Sequence, residues 1–197
     1  MSQASSGYAR IDGDRYYTPA WVTEALLSVE RFDGGVWDPA AGAGHILRAL
    51  PADCRKLGSD IEPDSDPDDD LGVFASDFLA FGDAYLPNII TNPPYGTGGR
   101  LAVQFVEQAL RLTAPFGGKV AMLLRVDFDS ANGRRKIFED HPAFAAKYVL
   151  TRRIRWANLP QSDAGPTVNH QWLVWDWRRR SGMPRTVSYL PLVSEDI

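Results

Sequence analysis

A single cysteine, Cys54, leaves this chain of 197 residues without a disulfide framework or a thiolate-rich zinc site. Histidine is almost as scarce. His45, His141 and His170 lie far apart and offer no metal-ligand spacing, so the expected chemistry is metal-free. No apolar run reaches the length of a bilayer span, and Met1 to Tyr8 has no signal-peptide core. A cytoplasmic protein with no membrane partner is expected. Two phosphate-binding signatures are missing as well: the turn Gly42-Ala43-Gly44 lacks the third glycine of the dinucleotide fingerprint, and no Gly-Lys-Ser or Gly-Lys-Thr follows it. A net charge of −4 argues against a simple polyanion-binding module. That charge is uneven, with seven acidic residues between Asp60 and Asp70 and basic groups at Arg134-Arg135-Lys136, at Arg152, Arg153 and Arg155, and at Arg178-Arg179-Arg180. A local basic face is compatible with this pattern.

What is present suffices for one core. Residues 1–15 are polar and aperiodic and read as a loose start, and residues 16–197 read as a single domain. Thr18-Pro19 has the form of a helix N-cap with proline in the first turn, and Trp21, Val22, Ala25, Leu26 and Val29 continue at helical spacing, which predicts a helix over 18–30. Short apolar strands end at Asp38, at Asp60-Ile61, near Asp77-Phe78 and at Thr91. Leu101 to Leu112 reads as a helix and Lys119 to Arg125 as the strongest strand. This alternation predicts an α/β fold with a largely parallel sheet covered on both faces. Ala145–Arg153 and Gln171–Trp177 lack room for a crossover helix between them and are expected to pair antiparallel.

The strand ends carry the chemistry. In an open α/β sheet, ligands bind at the carboxyl edge. Here Asp38-Pro39-Ala40-Ala41-Gly42-Ala43-Gly44, Asp60-Ile61, Asp77-Phe78 and Asn92-Pro93-Pro94-Tyr95 follow successive strands. Small residues let a ligand approach the backbone. A carboxylate after the second strand can take both hydroxyls of a ribose, and Asp77 could accept from an adenine amine, with Ile61 and Phe78 on its faces. In Asn92-Pro93-Pro94-Tyr95, two prolines remove two backbone donors and stop the ladder. An amide oxygen and a nearby carbonyl can accept both hydrogens of an –NH2 group, and a tyrosine ring can stack on the flat molecule that bears it.

Taken in order, Tyr17-Thr18-Pro19, Asp38-Pro39-Ala40-Ala41-Gly42-Ala43-Gly44, Gly58-Ser59-Asp60-Ile61, Ser76-Asp77-Phe78-Leu79 and Asn92-Pro93-Pro94-Tyr95 resemble the S-adenosylmethionine-dependent adenine-N6 DNA methyltransferases whose cofactor motifs precede the catalytic one. The resemblance implies a Rossmann-like class I fold: a mostly parallel seven-stranded sheet with an antiparallel C-terminal strand and helices on both faces. It implies that Tyr17, Thr18, Pro19, Asp38, Pro39, Ala40, Gly42, Gly44, Asp60, Ile61, Asp77, Phe78 and Asn92 hold S-adenosylmethionine, and that Asn92, Pro93, Pro94 and Tyr95 form the catalytic turn. Adenine would be flipped out of DNA and stacked on Tyr95. A second aromatic is expected after the sixth strand. Trp156 is the best placed, with Trp172 and Trp175 competing. Members with defined target sites, such as restriction-modification enzymes, usually carry a recognition domain that is not visible here, so short or relaxed specificity, a homodimer or a separate recognition subunit is expected. Candidate DNA-facing loops are Gly96–Arg100, Val126–Lys136 with Arg134, Arg135 and Lys136 for phosphates, and Trp156–His170. The alternatives are a protein-glutamine or RNA-adenine methyltransferase with the same amide-recognising site, and a catalytically silent subunit that binds S-adenosylmethionine or DNA.

Overall fold

The apolar runs set the order of the sheet. In the computed structural model, which describes residues 14–64, 71–159, 165–180 and 182–190, the strands are β1 (Val36–Asp38), β2 (Lys56–Asp60), β3 (Phe74–Ala75), β4 (Asn88–Thr91), β5 (Lys119–Arg125), β6 (Phe144–Leu150), β7 (His170–Asp176) and β8 (Thr186–Leu190). Their spatial order is β3-β2-β1-β4-β5-β7-β6-β8. The first five run parallel to one another, whereas β7 runs antiparallel to both β5 and β6. Antiparallel pairing of the 145–153 and 171–177 segments was the sequence expectation. The eighth strand is a difference, since seven were expected with the antiparallel one last; β8 follows it and pairs parallel to β6. Its sequence, Thr186-Val187-Ser188-Tyr189-Leu190, gave no signal because only Leu190 is buried.

Both faces are covered, as a parallel sheet requires. On one side α3 (Arg100–Thr113) lays Ala102, Phe105, Val106, Ala109 and Leu110 over Trp37, Ile89, Val120, Met122, Leu173 and Trp175. On the other, α1 (Ala20–Leu27) and α2 (His45–Ala49) bury Val22, Leu26, Ile46 and Leu47 against Val36, Ile90, Ala121, Leu123, Trp172 and Val174. Successive residues of one strand therefore go to opposite cores. Helix α1 starts two residues later than its sequence suggested: Pro19 is the capping residue, no side chain caps the helix, and the Pro19 carbonyl accepts from Val22 N–H at 3.0 Å. Between β5 and β6 the chain makes only two 3₁₀ turns, Phe128–Ser130 and Asn132–Ile137.

Buried polar groups pin the frame. Asn88 donates to the carbonyls of Asp33 and Gly35 at 2.7 and 2.9 Å and accepts from Lys119 N–H at 2.9 Å, which fixes the starts of β4 and β5 against the loop before β1. Each fully buried tryptophan has a partner for its indole N–H: Trp37 the Ser59 hydroxyl, Trp172 the Val22 carbonyl, Trp175 the Ile137 carbonyl. The closest backbone approach is at Gly118, where a β-carbon would fall 1.7 Å from the Pro87 carbonyl oxygen. Gly118→Ala is therefore expected to destabilise the fold by ~3 kcal/mol or more. Gly133, with nothing within 4 Å of such an atom, serves as the control, and Gly133→Ala should change stability by less than ~0.5 kcal/mol. Urea unfolding followed by tryptophan fluorescence measures both.

Candidate active site

Because β1 to β4 are parallel, their C-terminal ends meet at one edge, and a cleft of about 680 Å³ opens there. Of the residues expected to hold a cofactor, all except Pro19 and Gly44 line it. Asp60 at the end of β2 is fully engaged with the loops on either side. Its Oδ2 accepts from Gly42 N–H at 2.8 Å and its Oδ1 from Glu62 N–H at 3.0 Å, which leaves one lone pair on each oxygen toward the cleft. Asp77 caps the 3₁₀ turn Phe78–Ala80 through Oδ1, 2.9 Å from Leu79 N–H. Ile61 lines the cleft and is 70% exposed.

The Asn92 side chain has a determined orientation. Its Nδ2 lies 3.0 Å from the Tyr16 carbonyl, which can only accept. Its Oδ1 therefore faces away from Tyr16 and accepts no hydrogen bond from any described residue. Asn92 and Pro94 line the cleft; Pro93 and Tyr95 do not.

The segment Asp14–Thr18 crosses this edge and ties its parts together. The Asp14 carboxylate accepts from Tyr95 and Gly96 N–H at 3.1 and 2.8 Å. Arg15 pairs with Glu62 and Asp64, and the Tyr17 hydroxyl donates to Asp64 at 2.8 Å. Tyr17 also stacks on His45, with centroids 4.7 Å apart. Asn158 clasps the same segment from the β6–β7 side, accepting from Tyr17 N–H and donating to the Arg15 carbonyl. Sequence reasoning missed Asp14, Arg15 and Asp64. Two of them border Tyr16-Tyr17-Thr18, which was the one available signal. Of the segment read as loose, residues 1–13 lie outside the described residues, as do residues 65–70 of the acidic turn.

Several assignments need correction. Phe78 is only 2% exposed and packs edge-on against Trp37 and beside Phe105, so it walls the cleft and offers no free stacking face. Trp156 is 4% exposed, enclosed between Tyr16 and His170 at 5.3 and 5.1 Å; of these three residues it is Tyr16 that lines the cleft. Trp172 and Trp175 are core residues. The Tyr95 ring is half-buried and edge-on to Phe128, with its hydroxyl oxygen accepting from Arg125 N–H at 2.7 Å. Arg134 holds the carbonyls of Phe128 and Gly98 and lies over the Phe128 ring, and Arg135 pairs with Glu139 and Asp140. Both arginines thus hold loops in place, and only Lys136 of this cluster keeps an exposed charge without a described partner.

Two buried groups titrate abnormally. Burial pushes the Asp38 carboxyl up to about 7, against the Ala40 N–H it accepts at 3.2 Å. The Thr91 hydroxyl lies close enough to favour the charged form without meeting hydrogen-bond geometry. Burial, aided by the Arg125 charge, lowers His170 to about 4. The consequences for stability oppose each other. Between pH 3.8 and about 7 the folded chain holds the Asp38 proton that the unfolded chain has lost, so stability falls as pH rises. Between pH 6.5 and about 4 the unfolded chain protonates His170 first, so stability falls as pH drops. Asp38→Asn removes the first effect alone. It is expected to raise stability at pH 8 by up to ~4 kcal/mol and to steepen the acid-side loss, as measured by unfolding midpoints across pH 4–8.

No family model matches the chain, and no curated protein matches its sequence. The likeness is in shape. A candidate class I S-adenosylmethionine-dependent methyltransferase from Listeria monocytogenes superimposes with a TM-score of 0.64 at 15% identity, over 93% of this chain and 68% of that one. A modification subunit of a candidate type I restriction enzyme from Vibrio vulnificus gives 0.60 at 14% identity over 93% of this chain, and the M protein of the EcoKI type I restriction enzyme gives 0.56 at 17% over 82%. The chain spans only 48% and 44% of the length of those two subunits. A candidate RNA methyltransferase from Pyrococcus horikoshii gives 0.58 at 15% identity, covering 86% of this chain and 90% of that one. The protein therefore has the Rossmann-like fold found in class I S-adenosylmethionine-dependent methyltransferases.

Proposed function

We propose that the protein transfers a methyl group from S-adenosylmethionine to the exocyclic N6 amine of adenine in DNA, with the base turned out of the duplex into the cleft. The observation that carries this reading is the Asn92 amide, whose nitrogen is committed to the Tyr16 carbonyl and whose oxygen is left as an acceptor beside the cleft. An adenine amine brings two hydrogens. Asn92 Oδ1 and the Pro93 carbonyl oxygen would accept one each, drawing the nitrogen lone pair out of conjugation and aiming it along one line. Positioning and fixed dipoles then supply most of the rate, and no covalent intermediate on the protein is needed.

The cleft residues fit the cofactor. Asp60 has a lone pair on each oxygen for the ribose hydroxyls, the exposed Ile61 offers an apolar face to the adenine ring, and Asp77 keeps Oδ2 for its amine. Asp38, Asp60, Glu62 and Asp77 give this end a negative character suited to a ligand with a sulfonium and an ammonium. When bound, that ligand supplies an electrophilic methyl carbon. Protonated below about pH 7, Asp38 must release its proton to face a cation, so cofactor affinity is expected to weaken as pH falls from 8 to 6, which calorimetric titration would detect.

Substrate would enter from the other side, where Arg152, Arg153 and Arg155 follow β6 at the same edge, are exposed and would meet phosphates. Tyr16, backed by Trp156, takes the place assigned to Trp156 as the residue that would stack on the base in the cleft. Removing a stacking ring costs ~1–3 kcal/mol per base. Tyr16→Ala is thus expected to raise KM for DNA about tenfold, with Tyr16→Phe near wild type in steady-state assays.

The deciding experiment supplies radiolabelled S-adenosylmethionine with adenine-containing DNA, RNA or glutamine-bearing protein. Label in DNA adenine, falling by ~10²-fold or more in Asn92→Ala, is the expected outcome. Label in RNA, the reading favoured by the Pyrococcus neighbour, or in glutamine overturns the DNA assignment. Binding of cofactor and DNA without transfer makes the chain a silent subunit.

A further inference from the structure

We propose that Asp14 is a positioning residue for the transfer, one that sets the Asn92-Pro93-Pro94-Tyr95 turn from outside it; the proposal rests on reading Asn92 as the acceptor for the amine. Pro93 and Pro94 have no N–H to anchor them. The next two donors in the chain, Tyr95 and Gly96, both point to a single oxygen, Asp14 Oδ2, at 3.1 and 2.8 Å. The other side of the Tyr95–Gly96 link is held as well, since the Tyr95 carbonyl accepts from Leu101 and Ala102 N–H at 3.2 and 3.5 Å at the start of α3. Gly96 leaves the turn with φ 62°, and a β-carbon there would meet Leu101 Cβ at 2.7 Å, so the loop has little room to settle elsewhere.

Asp14 itself sits at φ 55°, the one positive value among the described residues other than glycine. Aspartate tolerates this conformation better than most residues, yet such geometry persists only where surrounding bonds over-determine it. Two residues on, the Tyr16 carbonyl fixes the Asn92 amide. One short segment thus holds the reactive turn at its first residue and just past its last. Residues of that same segment, Arg15 and Tyr17, reach Glu62 and Asp64 in the loop after β2.

Loss of the Asp14 carboxylate frees two half-buried N–H groups and lets the turn reorient, and a misplacement of about 1 Å costs on the order of 10²-fold in rate. The test uses the full chain and compares wild type, Asp14→Ala and Asp14→Asn. Hydrogen exchange at Tyr95 and Gly96 reports the anchor without any substrate. Single-turnover transfer to adenine-containing DNA, cofactor affinity by calorimetry and the unfolding midpoint report the rest. In Asp14→Ala the two amides are expected to lose protection and transfer to fall about 10²-fold, while cofactor affinity and midpoint hold. Asp14→Asn keeps an acceptor oxygen and should recover most of both, and it stands in if the alanine variant does not fold. Unchanged exchange in Asp14→Ala overturns the proposal, and so does a rate that falls only in step with cofactor affinity and midpoint. If exchange responds while wild type methylates no DNA, the anchor stands and the DNA reading fails.

Discussion

Parallel strands cannot be joined by tight turns; each crossing must return over a face of the sheet, and the strand ends that follow one another in sequence collect at one edge. That constraint organises this protein. It sends the crossover helices α2 and α3 over the two faces, it makes the central strands apolar on both sides, and it delivers Asp38, Asp60, Asp77 and Asn92 to a common cleft although they are 54 residues apart from first to last. The reversal at β7 has the opposite use. By running antiparallel between β5 and β6 it brings its first residue, His170, to the edge where β5 ends at Arg125 and β6 leads into Arg152, Arg153 and Arg155. The edge is thereby divided into an acidic half after β1 to β3 and an arginine-bearing half after β6.

How far the sequence could be read follows from this division. Lys119–Arg125 was legible to the residue because a central parallel strand buries nearly every side chain, and the strand-end carboxylates were legible because small residues and prolines mark the turns that carry them. Edge strand β8 was illegible, since it buries almost nothing and leaves no alternation to find. Arg134 and Trp156 were misread for a shared reason. A guanidinium in a basic run and a tryptophan in a polar loop look available until their long-range partners are known. The carbonyls of Gly98 and Phe128 take up the first, and the rings of Tyr16 and His170 enclose the second. Local composition carries no record of such partners.

The asymmetry of charge has a physical rationale in the proposed reaction. A cofactor bearing a sulfonium is favoured by the carboxylates, yet an unshielded acidic edge would repel a polyanion. Separating the two along one sheet edge lets each ligand meet the field it needs, and exposed charges more than about 10 Å apart are screened from each other at ordinary ionic strength. Buried charges are not screened in that way. Asp38, held near neutrality by burial, would gain its charge when a cation lies beside it, so that desolvation is offset only when the ligand is present.

A two-substrate site has a further requirement that neither half meets alone. In the proposed reaction the acceptor atom and the methyl donor must be held in register, although one would hang on the turn after β4 and the other on loops after β1 and β2. Strand β1 pairs directly with both β2 and β4, but those bonds stop where the loops begin. Beyond that point the connection is made by Asp14–Thr18, whose carboxylate and carbonyl grip the turn after β4 and whose Arg15 and Tyr17 grip the loop after β2. Fixing loops in this way costs conformational entropy before any ligand arrives, on the order of 1–2 kcal/mol per residue. The cost is then already met in the folded state, and what remains for the ligands is to fit a geometry that the chain has set in advance.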